Sequence, residues 1–294
     1  MAASPTAAEG GAARGHIVFT RAGGSFGDET VFVAKANGSD QHRISKIGMS
    51  CCPWATRNGS RIEIGGSLRG RGTSIVMAPD GTNRRVLPLP KGTLNLAGGP
   101  FSPDGKTIAR EGFDDTHPAS AGIYLTRVSD GAIVRRVTKT HFIPGDFSPR
   151  GKQLVLFKGA NGEPPPPGSL WLVGVNGKGL RRLTPAGMRV ECCFNYRWSP
   201  DGTKILFASA KGLIWTIAPN GTHLTRVFKD RHGRYAATPT WSPDGSRIMF
   251  ALDPTPNPFD HPENALYTIH AGGTRLTEVL GGHDFKREPV WLPR

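Results

Sequence analysis

Short runs of apolar residues recur along the chain, and a tight turn separates each run from the next. In the phrase WSPDGTKILF, which begins at Trp198, an aromatic residue precedes the turn and an apolar run follows it. Proline presets φ for such a turn, aspartate bonds its own backbone, and glycine takes the left-handed position. The phrase therefore predicts two strands joined by a tight turn. Helical periodicity is almost absent.

This phrase recurs six times. The aromatic residues that open the copies are Trp54, Phe101, Phe147, Trp198, Trp241 and Trp291, and the copies at Trp54 and Trp291 are degenerate and truncated. The intervals between these aromatic anchors are 47, 46, 51, 43 and 50 residues. A near-constant period in the forties is typical of propeller blades rather than of a helical solenoid.

Each repeat continues into a third strand that ends in an Asn-Gly, Asp-Gly or Gly-Gly turn, and into a short fourth strand. The chain starts with an unpartnered second strand, His16–Thr20, and ends with an unpartnered first strand, Glu288–Trp291. We therefore expect the two ends to complete one blade together. The predicted fold is all-β: a six-bladed propeller of four-stranded antiparallel blades over residues 14–294, preceded by a disordered stub at 1–13.

The WSPDG-x-x-I-x-F phrase, the later NPDG-like hairpin and the terminal RLT strand resemble the PD40 (WD40-like) repeat of TolB-like six-bladed propellers. The resemblance covers nearly the whole chain. It departs at blade 2, where Ala-Thr-Arg-Asn-Gly replaces Ser-Pro-Asp-Gly, and at Arg150, which replaces aspartate. The resemblance implies the six-bladed fold and an exported protein whose role is binding. No GxSxG nucleophile motif or hydrolase domain accompanies the repeats.

The variable loops indicate where a ligand would bind. In four-stranded blades the turns after the first and third strands share one face, and here they are short and uniform. The loops on the opposite face vary, so we expect function at that face and at the mouth of the central channel. The candidate binding residues there are His141, Glu191, His232, His283 and Asp284. We predict a non-catalytic binding or scaffold protein, without a cofactor, whose partner is a protein or peptide.

The alternative is a metal-dependent lyase or hydrolase. His141, His232 and His283 occupy similar positions before first strands, so they could converge on the axis as imidazole ligands of a divalent metal. Loop histidines in repeat proteins are more often solvated, and the binding hypothesis is therefore preferred.

The formal net charge is +14, and much of the surplus falls on the fourth strands, the outer edges of the blades. Charged edges oppose aggregation between sheets. The sequence has no basic stripe interleaved with exposed aromatic residues, so specific nucleic-acid binding is not predicted. The sequence contains no run of 18 apolar residues, so no transmembrane helix is predicted. We expect an exported monomer whose signal peptide is absent from this chain, and a cytosolic protein is the alternative.

The four cysteines form two adjacent pairs, Cys51-Cys52 and Cys192-Cys193. Neighbouring Cα atoms lie about 3.8 Å apart, below the usual disulfide range, so free thiols are the preferred interpretation. Disulfides within or between the pairs and a soft-metal site are the alternatives.

Overall fold

The computed structural model describes residues 15–22, 29–45, 50–68, 71–160, 167–192, 195–255 and 263–293. Their strands form six four-stranded antiparallel sheets, which confirms the predicted fold class. One turn of 3-10 helix, Pro118–Ser120, is the only helix in these ranges, and no helix there is long and apolar enough to cross a membrane. The predicted stub at residues 1–13 lies outside the described residues.

The blades follow one another along the chain, beginning with the three that contain its first half. Blade 1 contains β1 (His16–Ala22), β2 (Thr30–Lys35), β3 (His42–Arg43) and the last strand, β24 (Phe285–Leu292). Blade 2 contains β4 (Ser50–Ala55), β5 (Ile62–Leu68), β6 (Arg71–Met77) and β7 (Arg85–Val86). Blade 3 contains β8 (Asn95–Leu96), β9 (Thr107–Phe113), β10 (Gly122–Arg127) and β11 (Ile133–Arg136).

The second half of the ring repeats the same order. Blade 4 contains β12 (Ile143–Phe147), β13 (Gln153–Gly159), β14 (Gly168–Gly174) and β15 (Arg181–Arg182). Blade 5 contains β16 (Arg197–Trp198), β17 (Ile205–Ala208), β18 (Ile214–Ile217) and β19 (Thr225–Phe228). Blade 6 contains β20 (Tyr235–Trp241), β21 (Arg247–Asp253), β22 (Ala265–His270) and β23 (Thr277–Leu280).

The two ends of the chain close the ring. Strand β24 pairs with β1 in antiparallel register, so that Ile17 lies opposite Trp291 and Val18 lies opposite Val290. Strand β24 is thereby the innermost strand of blade 1, in the order β24-β1-β2-β3. The predicted completion of one blade by both ends is confirmed.

The aromatic anchors close the inner strands and are at most 8% exposed. They pack with the apolar residues of second and third strands in clusters that join neighbouring blades; one cluster places Trp54 against Phe101 and Ile108 of blade 3. Burying a large apolar side chain contributes about 1.5–3 kcal/mol. The anchors therefore hold each blade to the next around the axis.

One buried ionisable pair interrupts this apolar packing between blades 2 and 3. Glu63 and Arg110 are both fully buried. Arg110 donates through Nη2 to the carbonyl of Leu96 at 2.5 Å and through Nε to that of Ala97 at 3.3 Å. Burial raises the pKa of Glu63 to about 8, although the Arg110 charge opposes the rise. A Cβ on Gly98 would stand only 2.3 Å from Oε1 of Glu63, so this position has no room for a side chain.

The arginines of the fourth strands connect neighbouring blades. Arg84 donates to the carbonyl of Ile44 in blade 1 at 2.5 Å. Arg85 donates to the carbonyls of Val128 and Ser129 in blade 3. Arg181 in blade 4 similarly donates to the carbonyl of Pro219 in blade 5. Part of the basic surplus therefore serves to cross-link the blades, in addition to charging their edges.

Candidate functional site

The innermost strands surround an axial channel with two different ends. Each inner strand starts at the end where second strands finish, as Tyr235 opposite Asp253 shows for blade 6. We call this end the loop face, because the variable loops lie there. The inner strands finish at the aromatic anchors and the short turns, at the end we call the turn face. The two faces follow from strand direction alone.

Bulges in the inner strands turn side chains toward the axis. Two residues oppose one at Cys52-Pro53, Thr238-Pro239 and Glu288-Pro289. The first residue of each pair has positive φ, +63° at Cys52, +49° at Thr238 and +56° at Glu288. Non-glycine residues adopt this region rarely, and proline fits a bulge because it has no backbone N–H to pair. The bulge is thus a repeated device at this level of the channel.

The bulged residues are joined by hydrogen bonds from blade to blade. The backbone N–H of Cys52 donates to Oε2 of Glu288 at 2.8 Å, and the N–H of Glu288 donates to the Thr238 hydroxyl at 3.2 Å. Asn195, also at positive φ, donates through its amide to the Thr238 carbonyl at 2.9 Å and accepts from Arg197 at 2.8 Å. One chain of polar contacts therefore links blades 2, 1, 6 and 5.

Toward the loop face, five polar residues from three blades form what we call the mouth cluster: Glu191, Tyr235, Asp253, Arg287 and Glu288. Nη2 of Arg287 lies 3.6 Å from Oδ2 of Asp253, and Oδ1 of Asp253 accepts from the Asn264 amide at 2.7 Å. The Tyr235 hydroxyl interacts with the Glu191 carboxyl. The cluster holds three carboxyl groups and one guanidinium.

The electrostatics of the mouth cluster follow from its enclosure. Burial raises the pKa of Glu191 to about 7, with Arg287 opposing the rise and Asp253 adding to it. Burial likewise raises the pKa of Asp253, against the attraction of Arg287. The pKa of Glu288 also rises through burial, opposed by the hydrogen bonds from Thr20 and Cys52. Buried carboxyl groups with raised pKa values favour a ligand that brings a positive charge or hydrogen-bond donors.

Deeper in the channel, Arg197 crosses the axis. The carbon of its guanidinium lies 3.8 Å from the ring centroid of Trp54, which belongs to blade 2 on the opposite side of the ring. Arg197 is buried, and the charges of Asp146 and Glu288 partly offset the lowering of its pKa by burial, to about 10. Stacking of a guanidinium on a Trp face is favourable, and more so when both are desolvated. Arg197 therefore obstructs the channel between the two faces.

On the turn face, a cavity of about 150 Å³ lies among the anchors and the turns. Its walls include Trp198, Trp241 and Trp291 together with Arg57, Asp146 and Arg197. Burial raises the pKa of Asp146 to about 6, with Arg197 and Arg57 opposing the rise. The cavity is large enough for a side chain or a few waters, and too small for a drug-sized ligand.

A family model described as the TolB beta propeller domain, PD40, matches residues 67–257, which is well over half of the chain. The chain belongs to the PD40 family. No curated protein matches it. The sequence resemblance and the six-bladed architecture agree with this membership.

Solved structures share the fold of this PD40 propeller. TolB from Acinetobacter baumannii matches with a TM-score of 0.73 at 18% identity, over 95% of this chain and 67% of that one. A protein assigned as TolB from Agrobacterium tumefaciens matches with a TM-score of 0.67 at 18% identity, over 96% and 99% of the two chains. A chain of a nidogen/laminin complex matches with a TM-score of 0.69 at 9% identity, over 93% and 97%. At these identities the similarity concerns the fold.

The three histidines predicted as ligands each have a different partner in the PD40 propeller. His141 Nε2 lies 2.6 Å from Oε1 of Glu111, which raises the pKa of the imidazole. His232 accepts from its neighbour Arg231 at 2.9 Å. His283, largely exposed, lies 3.0 Å from Glu263. In the described ranges, the one group of at least three metal-ligating side chains with donor atoms within 4.8 Å is Cys51, Cys52 and Glu288. The structure does not gather the histidines.

The two predicted carboxylates have different surroundings. Glu191 belongs to the mouth cluster, where its backbone carbonyl accepts from the Tyr196 hydroxyl at 2.7 Å. Asp284 instead pairs with Arg21 and with the buried Lys286, whose Nζ lies 2.5 Å from Oδ1. Asp284, just before β24, therefore ties the start of β24 to β1. Of the two carboxylates, only Glu191 belongs to the mouth cluster.

The sequence analysis missed Arg197 and Asp146, and one signal could have found them. Both occupy the position directly before an aromatic anchor, where the other four repeats have Pro53, Pro100, Thr240 and Val290. A charged residue at this position was thus an exception within the repeat. Tyr235 and Arg287 carried no such signal, because inner strands of other blades also contain aromatic and basic residues.

The interpretation of the cysteines as free thiols is wrong for the described residues. Cys51 and Cys52 form a disulfide across a Cα–Cα separation of 3.7 Å, and Cys192 is also disulfide-bonded. Cys193 lies outside the described residues. In a regular strand, adjacent side chains point to opposite faces, which places their sulfur atoms apart. The bulge and the positive φ of Cys52 remove this alternation and bring both sulfur atoms to one side.

Proposed function

We propose that this PD40 propeller is a binding protein that recognises a protein segment through its loop face and channel mouth. The observation that carries the proposal is the mouth cluster: polar residues from blades 1 and 6 and from the loop before blade 5 meet in an enclosed space at the end of the channel that bears the variable loops. His141, His232, His283 and Asp284 lie in those loops and form the proposed rim. Catalysis is not needed for this role.

The charge of the mouth cluster indicates the group that it takes. Glu191, Asp253 and Glu288 surround the single cation Arg287, so a further cation or several N–H donors would be attracted. A ligand cation would also favour the ionised form of Glu191, whose pKa is otherwise raised to about 7. The proposed partner is therefore a flexible protein segment that inserts a lysine or arginine side chain into the mouth.

The proposal is tested with a library of displayed random peptides selected on the wild-type protein. We expect the selected peptides to contain Lys or Arg and to bind at least tenfold more weakly to a Glu191→Gln/Asp253→Asn variant. Asp80→Asn is the matched control, because it neutralises an exposed carboxyl on a turn-face loop where asparagine keeps the hydrogen bond to Thr82. Peptides without basic residues, or equal binding to all three proteins, would contradict the proposal.

We also propose that the protein works outside the reducing cytosol. Disulfides persist in oxidising compartments and are rare where thiol reductants are abundant. The bond between Cys51 and Cys52 and the bonded state of Cys192 support this placement. Mass spectrometry of protein alkylated directly in intact cells checks it: unmodified, bonded cysteines are expected, and alkylated Cys51 and Cys52 would argue for the cytosol.

A further inference from the structure

We infer that Cys51, Cys52 and Glu288 form a site for a soft divalent metal ion when the disulfide is reduced. These three residues stand at the bulge level of the channel, on blades 2 and 1, and their donor atoms lie within 4.8 Å of one another. Thiolates are the preferred ligands of soft metals, and a carboxylate completes sets of this kind in many zinc sites. The site shares Glu288 with the mouth cluster, but it does not depend on the binding function proposed above.

The disulfide shows that both sulfur atoms lie on the same side of the strand, as ligation of one metal ion requires. Adjacent strand residues normally point apart, which is why metal sites use spaced cysteines. Here the bulge at Cys52-Pro53 places both Sγ atoms on the same side of β4. A tetrahedral ion with metal–sulfur bonds of about 2.3 Å requires the two sulfur atoms about 3.8 Å apart. Rotation of the freed side chains about χ1 supplies this separation without moving the backbone.

The surrounding structure keeps the three ligands together after reduction. Register pairs fix β4 on both sides of the bulge, with Cys51 opposite Gly65 and Trp54 opposite Glu63. The Cys52 N–H donates to Oε2 of Glu288 at 2.8 Å, and the Thr20 hydroxyl donates to the same oxygen at 2.8 Å. Cys51 is only partly buried, so an ion has an entry path and an open position for water.

The chemistry of loading is a two-step exchange. A dithiol reductant gives two electrons and two protons to the disulfide, which yields two cysteine thiols while the dithiol becomes its own disulfide. The metal ion then replaces the two thiol protons and forms two metal–sulfur bonds, releasing the protons to water. When a small-molecule disulfide takes two electrons from the two thiolates and two protons from water and becomes a dithiol, the Cys51–Cys52 bond forms again and the ion is released. Occupancy would therefore follow the redox state of the protein.

Cadmium alone is the probe, because its thiolate complexes absorb in the near ultraviolet. The wild-type protein is reduced with a dithiol, freed of reductant under nitrogen and titrated with Cd²⁺, with oxidised protein as the reference. We expect the charge-transfer band only after reduction. Cys51→Ser should lose one equivalent of Cd²⁺, whereas Cys192→Ser, the control at the other cysteine pair, should retain it.

Glu288→Gln tests the third ligand, because glutamine still accepts from Cys52 and Thr20 but brings no charge. We expect at least tenfold weaker Cd²⁺ binding with the same number of sites. Uptake that is unchanged in Cys51→Ser, or affinity that is unchanged in Glu288→Gln, would overturn the three-residue site. Loss of the near-UV circular dichroism of the tryptophans on reduction would also overturn it, since the site requires the folded bulge.

Discussion

Replacing Glu63 with glutamine should remove a large part of the pH dependence of stability. Glu63 is fully buried between blades 2 and 3, and burial raises its pKa from 4.5 to about 8. A carboxyl group whose pKa is higher in the folded state contributes stability that is complete below the unfolded pKa. This contribution is lost as the pH rises through the folded pKa. Wild-type protein should therefore become less stable between pH 5 and pH 8 through this group.

The size of the effect follows from the shift. Each pH unit between the two pKa values is worth about 1.4 kcal/mol, and titration is incomplete at both ends of the interval, so the change from pH 5 to pH 8 is roughly 3–4 kcal/mol. This is a substantial fraction of the roughly 5–15 kcal/mol by which domains are stable. Glutamine has nearly the same shape and does not titrate, so Glu63→Gln should show a profile flatter by that amount.

Urea unfolding followed by tryptophan fluorescence at pH 5 and pH 8 measures the difference. Comparing the two proteins at both pH values cancels the histidines and other groups that titrate in this range. Glu278→Gln, at an exposed position on blade 6, controls for the loss of one carboxyl group. Parallel profiles for wild type and Glu63→Gln would refute the reasoning, and would mean that Glu63 is ionised beside Arg110 throughout.

Three further outcomes are expected. Arg197→Met should destabilise the protein by about 3 kcal/mol, because it removes the cation that most favours the charged form of the buried Asp146. Adding Asp146→Asn should restore part of the melting temperature, and no recovery would contradict the coupling. Gly99→Ala should lower the free energy of unfolding by about 1–3 kcal/mol, since the new Cβ would stand 2.0 Å from the Ala109 carbonyl oxygen. Gly272→Ala is the control, because a Cβ there has open space. Equal chemical denaturation midpoints for the two variants would argue against the crowding. Arg85→Ala should speed amide hydrogen exchange near Val128 by at least tenfold, because it removes the hydrogen bonds to blade 3. Arg135→Ala is the control and should leave this exchange unchanged, since Arg135 has no such link among the described residues.

The fold could be predicted because its signals are local and repeated. Each Ser-Pro-Asp-Gly turn is determined by four residues, and an aromatic anchor marks the end of the inner strand in five of the six blades. The closure of the ring followed from a first strand missing at the start of the chain and an unpartnered first strand at its end, without any three-dimensional information. Blade 3 shows the limit of this approach: β8 ends at Leu96, and its anchor Phe101 pairs with Ile108 only through an isolated bridge.

The site was harder to predict from the sequence than the fold, since it depends on which blades face each other across the channel. Contact between Arg197 and Trp54 joins residues of opposite blades, and no spacing rule predicts that a side chain crosses the axis. The cysteine pair was misinterpreted for a related reason: strand alternation separates neighbouring side chains, and the bulge at Cys52 cancels it. Glu191 was predicted at the channel end from its loop position, and its buried carboxyl interacts with Tyr235 of blade 6. Whether it binds a ligand stays a prediction.

The pairing of β24 with β1 also has a consequence for the order of events during synthesis. Blades 2 to 6 are each made from consecutive strands, so they can form as the ribosome delivers them. Blade 1 needs Val290 and Trp291 beside Val18 and Ile17, more than 270 residues earlier in the chain. Until the last strand emerges, one edge of β1 is unpaired and blade 1 lacks its innermost strand. Folding of this protein therefore finishes in a single late step of very long range, and a nascent chain stalled before β24 exposes the edge on which aggregation would begin.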